Sequence, residues 1–320
     1  MSGRHYRNGV LWAVLCNMLW STTFVGARHL MANRSIDPVS LSLLRFAIGG
    51  ALLAAIAWWA YGPKLFKVAL ADHLRLVGLA ALGITGMSAL LFWGQQSTTA
   101  INSSMIMQLS PVLILLLGVF VGERITVRKA AGLGFSLLGC CLIINIVTAS
   151  GFHYDPRGVK GDGLVFLSAT CWALYSVWGK GVVTRVGGFV ATVWTMAYGC
   201  LQLLAIRLAM GPPTLPTATA DWALVVYLAV FPTALAFYGW YEAWARIELS
   251  LLNVLQYLAP LFTMLLAVTL LGEKLTLLNA AGAGAVVFGV LLTGGGRADV
   301  PLARRFRGWL ELLRLRFAKG

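Results

Sequence analysis

Charge is the scarcest commodity in this sequence. Only 11% of its 320 residues are Asp, Glu, Lys or Arg, while 59% are apolar, against roughly one-quarter charged in soluble domains. Such a balance excludes a molecule whose surface is mostly bathed in water. Acid is rarer still, with 11 Asp and Glu against 25 Lys and Arg. None of the acids falls in the middle of an apolar run; Asp221, Glu242, Glu123 and Glu273 all lie near run edges. The four histidines, His5, His29, His73 and His153, also sit at edges or between runs. Intramembrane hydrolysis or group transfer needs paired carboxylates, a His and Glu metal set, or a nucleophile with its base inside the runs. No such set can be assembled, so neither an enzyme nor a bound metal or cofactor is expected. Cys16, Cys140, Cys141, Cys171 and Cys200 all fall inside apolar runs, where they read as packed thiols rather than staples between exposed loops.

What is abundant is hydrocarbon in long stretches. The apolar runs are about 20 residues long, enough for a helix to cross roughly 30 Å of bilayer core. Ten spans are expected, at approximately 10–30, 39–61, 74–93, 100–121, 129–148, 163–181, 189–210, 221–243, 249–271 and 277–295. The first lacks a small-residue cleavage site and reads as a retained span. The net charge of +14 does not point to nucleic acid, because the basic residues cluster at the ends of runs and in the tail rather than on one domain face. With the amino terminus inside, eighteen of them fall on the cytoplasmic side: Arg4, Arg7, Lys64, Lys67, Arg75, Arg124, Arg128, Lys129, Lys180, Arg185, Arg246 and seven from Arg297 to Lys319. Six fall on the other: Arg28, Arg34, Arg157, Lys160, Arg207 and Lys274. This asymmetry places both termini in the cytoplasm.

The halves repeat. Pro111, Gly122, Glu123, Ala130, Ala131, Gly132, Gly134 and Gly139 are answered by Pro260, Gly272, Glu273, Ala280, Ala281, Gly282, Gly284 and Gly289, at a constant offset of 150 beyond the proline. Trp20 and Trp172 pair less closely. Five spans per unit is an odd number, so the second copy enters the bilayer from the opposite face. The chain therefore reads as an all-α membrane protein of two inverted five-helix repeats, 1–150 and 151–296, with a substrate site near the midplane between them. Residues 297–320 form a third segment. There Leu302, Phe306, Trp309, Leu313 and Phe317 recur at helical spacing beside Arg304, Arg305, Arg307, Arg314 and Lys319, a pattern suited to lying on an anionic leaflet.

Several of these motifs together resemble the EamA-type branch of the drug/metabolite transporter superfamily. They are Leu19-Trp20-Ser21, the stretch Pro38 to Phe46 with its Leu44-Arg45-Phe46, and the paired segments that run from a proline to Gly-Glu and then Ala-Ala-Gly. Within that group the chain looks most like the aromatic amino acid exporters. The resemblance implies ten spans, export across a bacterial inner membrane and alternating access. A drug or cation antiporter of the same superfamily remains the alternative.

The candidate site follows from helix geometry. Asn253, Gln256, Tyr257 and Pro260 share one face of the ninth span, and Ser104, Met107, Gln108 and Pro111 form the counterpart in the fourth. Amides in hydrocarbon need protein or a cavity to face, though bonding a neighbouring helix would also satisfy them. Pro111, Pro232 and Pro260 interrupt spans and each frees a carbonyl, giving a hinge or a polar ligand site, or a tolerated kink. Trp58, Trp59, Tyr61, Trp222 and Trp309 are assigned to interfacial belts. Trp20, Trp172 and Tyr175 near mid-span, with Phe92, Trp93, Tyr238, Trp240 and Tyr241, fit walls for a flat ligand or packing between helices. Arg45 lies seven residues past Pro38, roughly 10 Å below the surface if the helix starts there. At such depth a charge costs about 2.5 to 3.5 kcal/mol on insertion scales, so it either pairs with a carboxylate or substrate or snorkels outward. Without a buried acid, proton coupling is not expected, and facilitated export of a small solute is. Gly132, Gly139, Gly282 and Gly289 recur at sevens along the fifth and tenth spans, permitting close packing of those helices or of two subunits, so the oligomeric state stays open.

Overall fold

The computed structural model describes residues 3–118, 131–132, 134–135, 138–139, 142, 156–244, 246–247, 255–256, 258–272 and 276–294. The expected tail helix, Gly122, Glu123 and Glu273 of the Gly-Glu pairs and most of the fifth span lie outside these residues. Among the described residues the secondary structure is entirely helical. In chain order the helices are α1 Gly3–Ala32, α2 Pro38–Tyr61, α3 Leu70–Ala80, α4 Met87–Gly94, α5 Ala100–Met107 and α6 Ser110–Gly118. The second half holds α7 Pro156–Val186, α8 Gly188–Ala209, α9 Thr219–Ala229, α10 Ala236–Trp244, α11 Leu258–Leu271 and α12 Leu277–Gly294. A π-helical turn at Ala81–Gly86 joins α3 to α4, and another at Val230–Leu235 joins α9 to α10. Among the described residues, five helical stretches are long and apolar enough to cross a membrane: Tyr6–Ala32, Pro38–Tyr61, Leu70–Gly94, Gly188–Ala209 and Thr219–Trp240. Trp59, Leu70, Leu208 and Leu277 stand largely exposed on this surface, a placement that suits lipid rather than water.

Local chemistry fixes the helix ends. Pro38 opens α2 in the first turn, where its missing N–H costs nothing, and Asp37 caps it by accepting from the Ser40 amide at 2.9 Å. The helix stops at Gly62, whose φ of 53° is the left-handed region that glycine enters freely. Asp37 also meets Arg207 at 3.0 Å and accepts from the Thr214 amide at 3.1 Å. Burial pushes its carboxyl upward, but Ser40, Arg207 and the Thr214 amide outweigh that and hold it below its ordinary value of 3.8. A depressed value means that this contribution is fully present above about pH 4 and disappears as pH falls through the folded-state pKa. Purified protein in detergent is expected to lose thermal stability below that point, and Asp37→Asn to flatten the acid limb of the curve.

Contacts sort the helix ends onto two poles. At one, Arg28 near the end of α1 donates to the Gln95 carbonyl at 2.6 Å just after α4, and Thr98 donates to Asp162 near the start of α7. The start of α2 meets the end of α8 there through Asp37 and Arg207. At the other pole Arg185 of α7 meets Asp72 of α3 at 2.7 Å, and Trp194 of α8 donates to the Leu65 carbonyl at 3.0 Å. Tyr198 lies 2.8 Å from the His73 ring, and Gly9 of α1 packs on Arg246 and Ile247 beyond α10. Hence α1, α2, α3 with α4, α7, α8, and α9 with α10 run alternately up and down.

Packing between the halves comes in matched pairs. α1 lies on α10 and α11 as α7 lies on α4 and α6, and α2 lies on α9 and its π-turn as α8 lies on α3 and its π-turn. The π-turns stand at equivalent places, since 230 minus 81 and 235 minus 86 both give 149. Gly49 of α2 abuts the Ala229 carbonyl and Thr233, while Gly199 of α8, 150 further on, abuts Ile84. Of the glycines expected in the fifth and tenth spans, Gly139 meets the Gly282 carbonyl, and Phe135 meets Phe288 edge-on at 5.0 Å. These two helices thus pack on each other.

The fourth span, expected as one helix, breaks between Met107 and Ser110. Pro111 has no N–H to give the Met107 carbonyl, four residues back. The Ser110 hydroxyl takes that carbonyl instead, and a tight turn carries the chain, with the Gln108 and Leu109 amides bonded to the Met105 and Ile106 carbonyls.

Candidate functional site

A cavity of about 110 Å³ lies where the halves interlock. From α1 come Asn17, Trp20, Thr23 and Phe24, which share a face at spacings of three, three and one. Arg45 enters from α2, Met87 and Leu91 from α4, and Trp172 and Phe237 from α7 and α10. Met107, Gln108 and Ser110 line it at the broken fourth span, with Gln256 and Ala259 opposite.

The walls are aromatic. The Trp20 ring sits 5.9 Å from Phe237 and 4.9 Å from Trp240, and Trp172 lies 5.4 Å from Tyr175. Against this apolar lining stand a few polar atoms, several generated by proline. Gln108 donates its side-chain amide to the Gln256 carbonyl at 3.4 Å, the carbonyl that Pro260 leaves without its helical partner. Pro232 likewise frees the Leu228 carbonyl, which accepts from the Thr233 hydroxyl at 2.9 Å. That same hydroxyl oxygen accepts from Arg45 Nε at 2.6 Å.

Arg45 does not turn outward to the surface. The side chain is buried, with 5% of its surface accessible. Its guanidinium carbon lies 5.3 Å from the Phe46 ring centroid and 5.8 Å from that of Phe92. Gly49, one turn further along α2, allows α2 to lie directly on the π-turn, which is what brings Thr233 within reach of Arg45. Two further polar atoms of the lining, Asn17 Oδ1 and Thr23 Oγ1, are buried without a hydrogen-bond partner among the described residues.

The structure thus gathers Trp20, Arg45, Gln108, Trp172 and Gln256 around one cavity. Other residues singled out in the sequence stand elsewhere. Phe92 is fully buried in the core that joins α1, α4 and α5, and Trp93 packs on the core between α2 and α8. Ser104 is buried, its hydroxyl bonded to the Ile101 carbonyl at 2.8 Å. Tyr175 bonds to Thr192 and Thr195 and covers Gly83, and Tyr238 meets Trp12 and Phe189 edge-on. Tyr241 belongs to α10, while Asn253 and Tyr257 lie outside the described residues. Glu242 pairs with Arg246 near the second pole rather than entering the cavity. Asn17, Thr23, Phe24 and Phe237 escaped the sequence reading. Asn17 was there to be found, as an amide in an apolar run three residues before Trp20. Among the described residues no group of three or more His, Cys, Asp or Glu is placed to hold a metal.

Comparison with known proteins decides the family. The EamA-like transporter family matches residues 7–145 and again 159–295, nearly the whole chain in two copies. The chain belongs to the EamA-like transporter family. It is therefore a multi-pass membrane transporter. Among the relatives it resembles, an uncharacterized transporter of Archaeoglobus fulgidus is 30% identical, over 87% of this chain and 94% of that one. A probable terminal-alkyne amino-acid exporter of Streptantibioticus cattleyicolor is 30% identical, over 88% and 92%. The aromatic amino acid exporter YddG of Ancylobacter novellus is 29% identical, over 90% and 95%. A crystal structure 26% identical in sequence superposes with a TM-score of 0.68, covering 93% of this chain and 98% of that one.

Proposed function

We propose that this EamA-like protein exports small amphipathic metabolites, aromatic amino acids foremost, across a bacterial inner membrane by alternating access. The observation that carries this reading is the aromatic cavity holding one cationic side chain between the two halves. Trp20, Trp172, Phe24 and Phe237 offer faces and edges to a flat ring, while Arg45, Gln108 and Gln256 offer polar contacts to the rest of the solute. Two relatives whose names specify amino-acid export agree with it.

The topology we infer is ten spans in two inverted repeats, 1–150 and 151–296, the tail 297–320 lying on the inner leaflet. Both termini are cytoplasmic in this topology, because the sequence assigns eighteen of the basic residues to the side on which the chain begins, against six to the other. At about 110 Å³ the cavity is smaller than the roughly 300 to 1,000 Å³ of ordinary ligand pockets. A solute is admitted when the halves part, with the breaks at Pro111, Pro232 and Pro260 as hinges. The sign of the cavity's charge favours a metabolite over the rival cation antiporter, since among the described lining residues the single formal charge is that of Arg45.

Vesicles reconstituted with the protein and loaded with Phe, Tyr, Trp, Thr or a cationic dye provide the test. Expected is efflux of the three aromatic amino acids down their own gradients, with or without an imposed pH gradient. Dye efflux without amino acid efflux would install the antiporter reading, and a strict need for a proton gradient would remove facilitated export.

A further inference from the structure

We infer that Arg45 is the anchor for a carboxylate of the transported solute, so that the cavity selects a singly charged acid group together with a neighbouring amine. The inference rests on the proposed export of amphipathic metabolites and names the group those metabolites share.

A guanidinium carries donors on three nitrogens, in a fork that matches a carboxylate. Within the described residues Arg45 spends one of them, Nε, on Thr233. Its charge otherwise rests on the faces of Phe46 and Phe92, and no carboxylate of a described residue forms an ion pair with it. The two terminal nitrogens belong to a side chain that borders the cavity and is 5% exposed. A buried charge without a counter-ion is costly, and a ligand that supplies one offsets that cost while gaining two parallel hydrogen bonds.

The charge count argues for a monoanion. Among the described lining residues no second base accompanies Arg45, so a phosphate dianion would enter with a negative charge left over. The acceptors argue for an amine. Asn17 Oδ1 and Thr23 Oγ1, on the same cavity, are buried without partners among the described residues. An ammonium group has three donors and no acceptor, the complement of that set. Polar atoms left unpaired in a protein interior ordinarily cost free energy, and here they gain partners when a zwitterion is bound.

The anchor also bears on movement. Thr233 joins Arg45 to the carbonyl that Pro232 frees in the π-turn. A carboxylate drawn to Arg45 therefore pulls on the segment that lets the second half bend.

Matched acid and amide pairs test this. The protein in detergent micelles is titrated with phenylalanine, phenylalaninamide, leucine and leucinamide, with heat of binding as readout, and efflux of the same four is measured from vesicles. The expected result is at least tenfold preference for the acid within each pair. Arg45→Gln is expected to bring the ratio of acid to amide down to about one, whatever the variant's overall level, and Arg45→Lys to keep part of the preference. Acid and amide handled equally by the wild-type protein would overturn the inference even if phenylalanine is exported, and so would an equal loss of both in Arg45→Gln. Should the leucine pair outrun the phenylalanine pair while acids still beat amides, the aromatic preference fails and the carboxylate anchor stands.

Discussion

Gly49→Ala and Gly199→Ala are each expected to destabilise the protein by about 1 to 3 kcal/mol, the cost of overfilling a packed contact. The same change at Gly78 or Gly284 is expected to be neutral or favourable. All four glycines are helical, and Ala is the better helix former by roughly 0.5 to 1 kcal/mol, so propensity alone predicts one sign throughout. Packing reverses it at two of them. A Cβ at Gly49 would stand 2.7 Å from the Ala229 carbonyl oxygen and 2.7 Å from Thr233 Cγ2, and one at Gly199 would overlap Ile84, whereas Gly78 and Gly284 have open space. The obstacle also decides whether a second substitution can help. At Gly239 a Cβ would meet the Trp12 ring at 2.5 Å and Cys16 Sγ at 2.9 Å, both side chains, so Trp12→Leu is expected to rescue Gly239→Ala in part. At Gly49 one of the two equally close obstacles is backbone, so Thr233→Ser, which removes only the other, is expected to rescue Gly49→Ala little. Thermal midpoints of the detergent-solubilised protein, read from the monodisperse peak after heating, check all of this. Equal midpoints for Gly49→Ala and Gly78→Ala would mean that α2 does not lie on the π-turn as described.

Much of the architecture was legible because lipid is a demanding solvent. Runs near 20 residues mark spans whatever their partners, and α1, α2, α8 and the segments from Leu70 to Gly94 and Thr219 to Trp240 stand where their runs do. The inner repeat was legible from Pro111 and Pro260 and the segments behind them, and the family match in two copies agrees with it. The π-turns were not. Pro232 marks the second, but the first, Ala81–Gly86, has no proline and reads as plain apolar helix. Its register is set by α8 closing on Ile84 through Gly199, a contact between residues more than 100 apart in sequence. The candidate site was half legible for a related reason. Helical spacing says which residues share a face but not which face meets the cavity, so Trp20 and Trp172 line it while Phe92 and Tyr175, equally aromatic, serve the core. Arg45 was conspicuous as a charge in hydrocarbon, but its partner Thr233 is an ordinary residue whose role exists only where two helices cross.

Thr233→Val is expected to produce the largest combined loss of stability and transport of any single substitution outside the cavity lining. Valine has threonine's shape, so the change removes a hydroxyl and little else. That hydroxyl donates to the Leu228 carbonyl at 2.9 Å and accepts from Arg45 Nε at 2.6 Å, in a side chain that is wholly buried. Removing it strands an acceptor and a charged donor away from water, each costing about 1 to 3 kcal/mol, with the charged group toward the upper end. Thr233→Ser keeps the hydroxyl and is expected to restore both properties. The two bonds can be separated. Pro232→Ala gives position 232 an amide hydrogen that can reach the Leu228 carbonyl four residues back. Placed beside Thr233→Val, it is expected to recover part of the thermal midpoint and none of the flux, because Arg45 still lacks its brace. Recovery of flux together with the midpoint would show that the hydroxyl serves the helix alone, and normal stability in Thr233→Val by itself would show that Arg45 finds another acceptor.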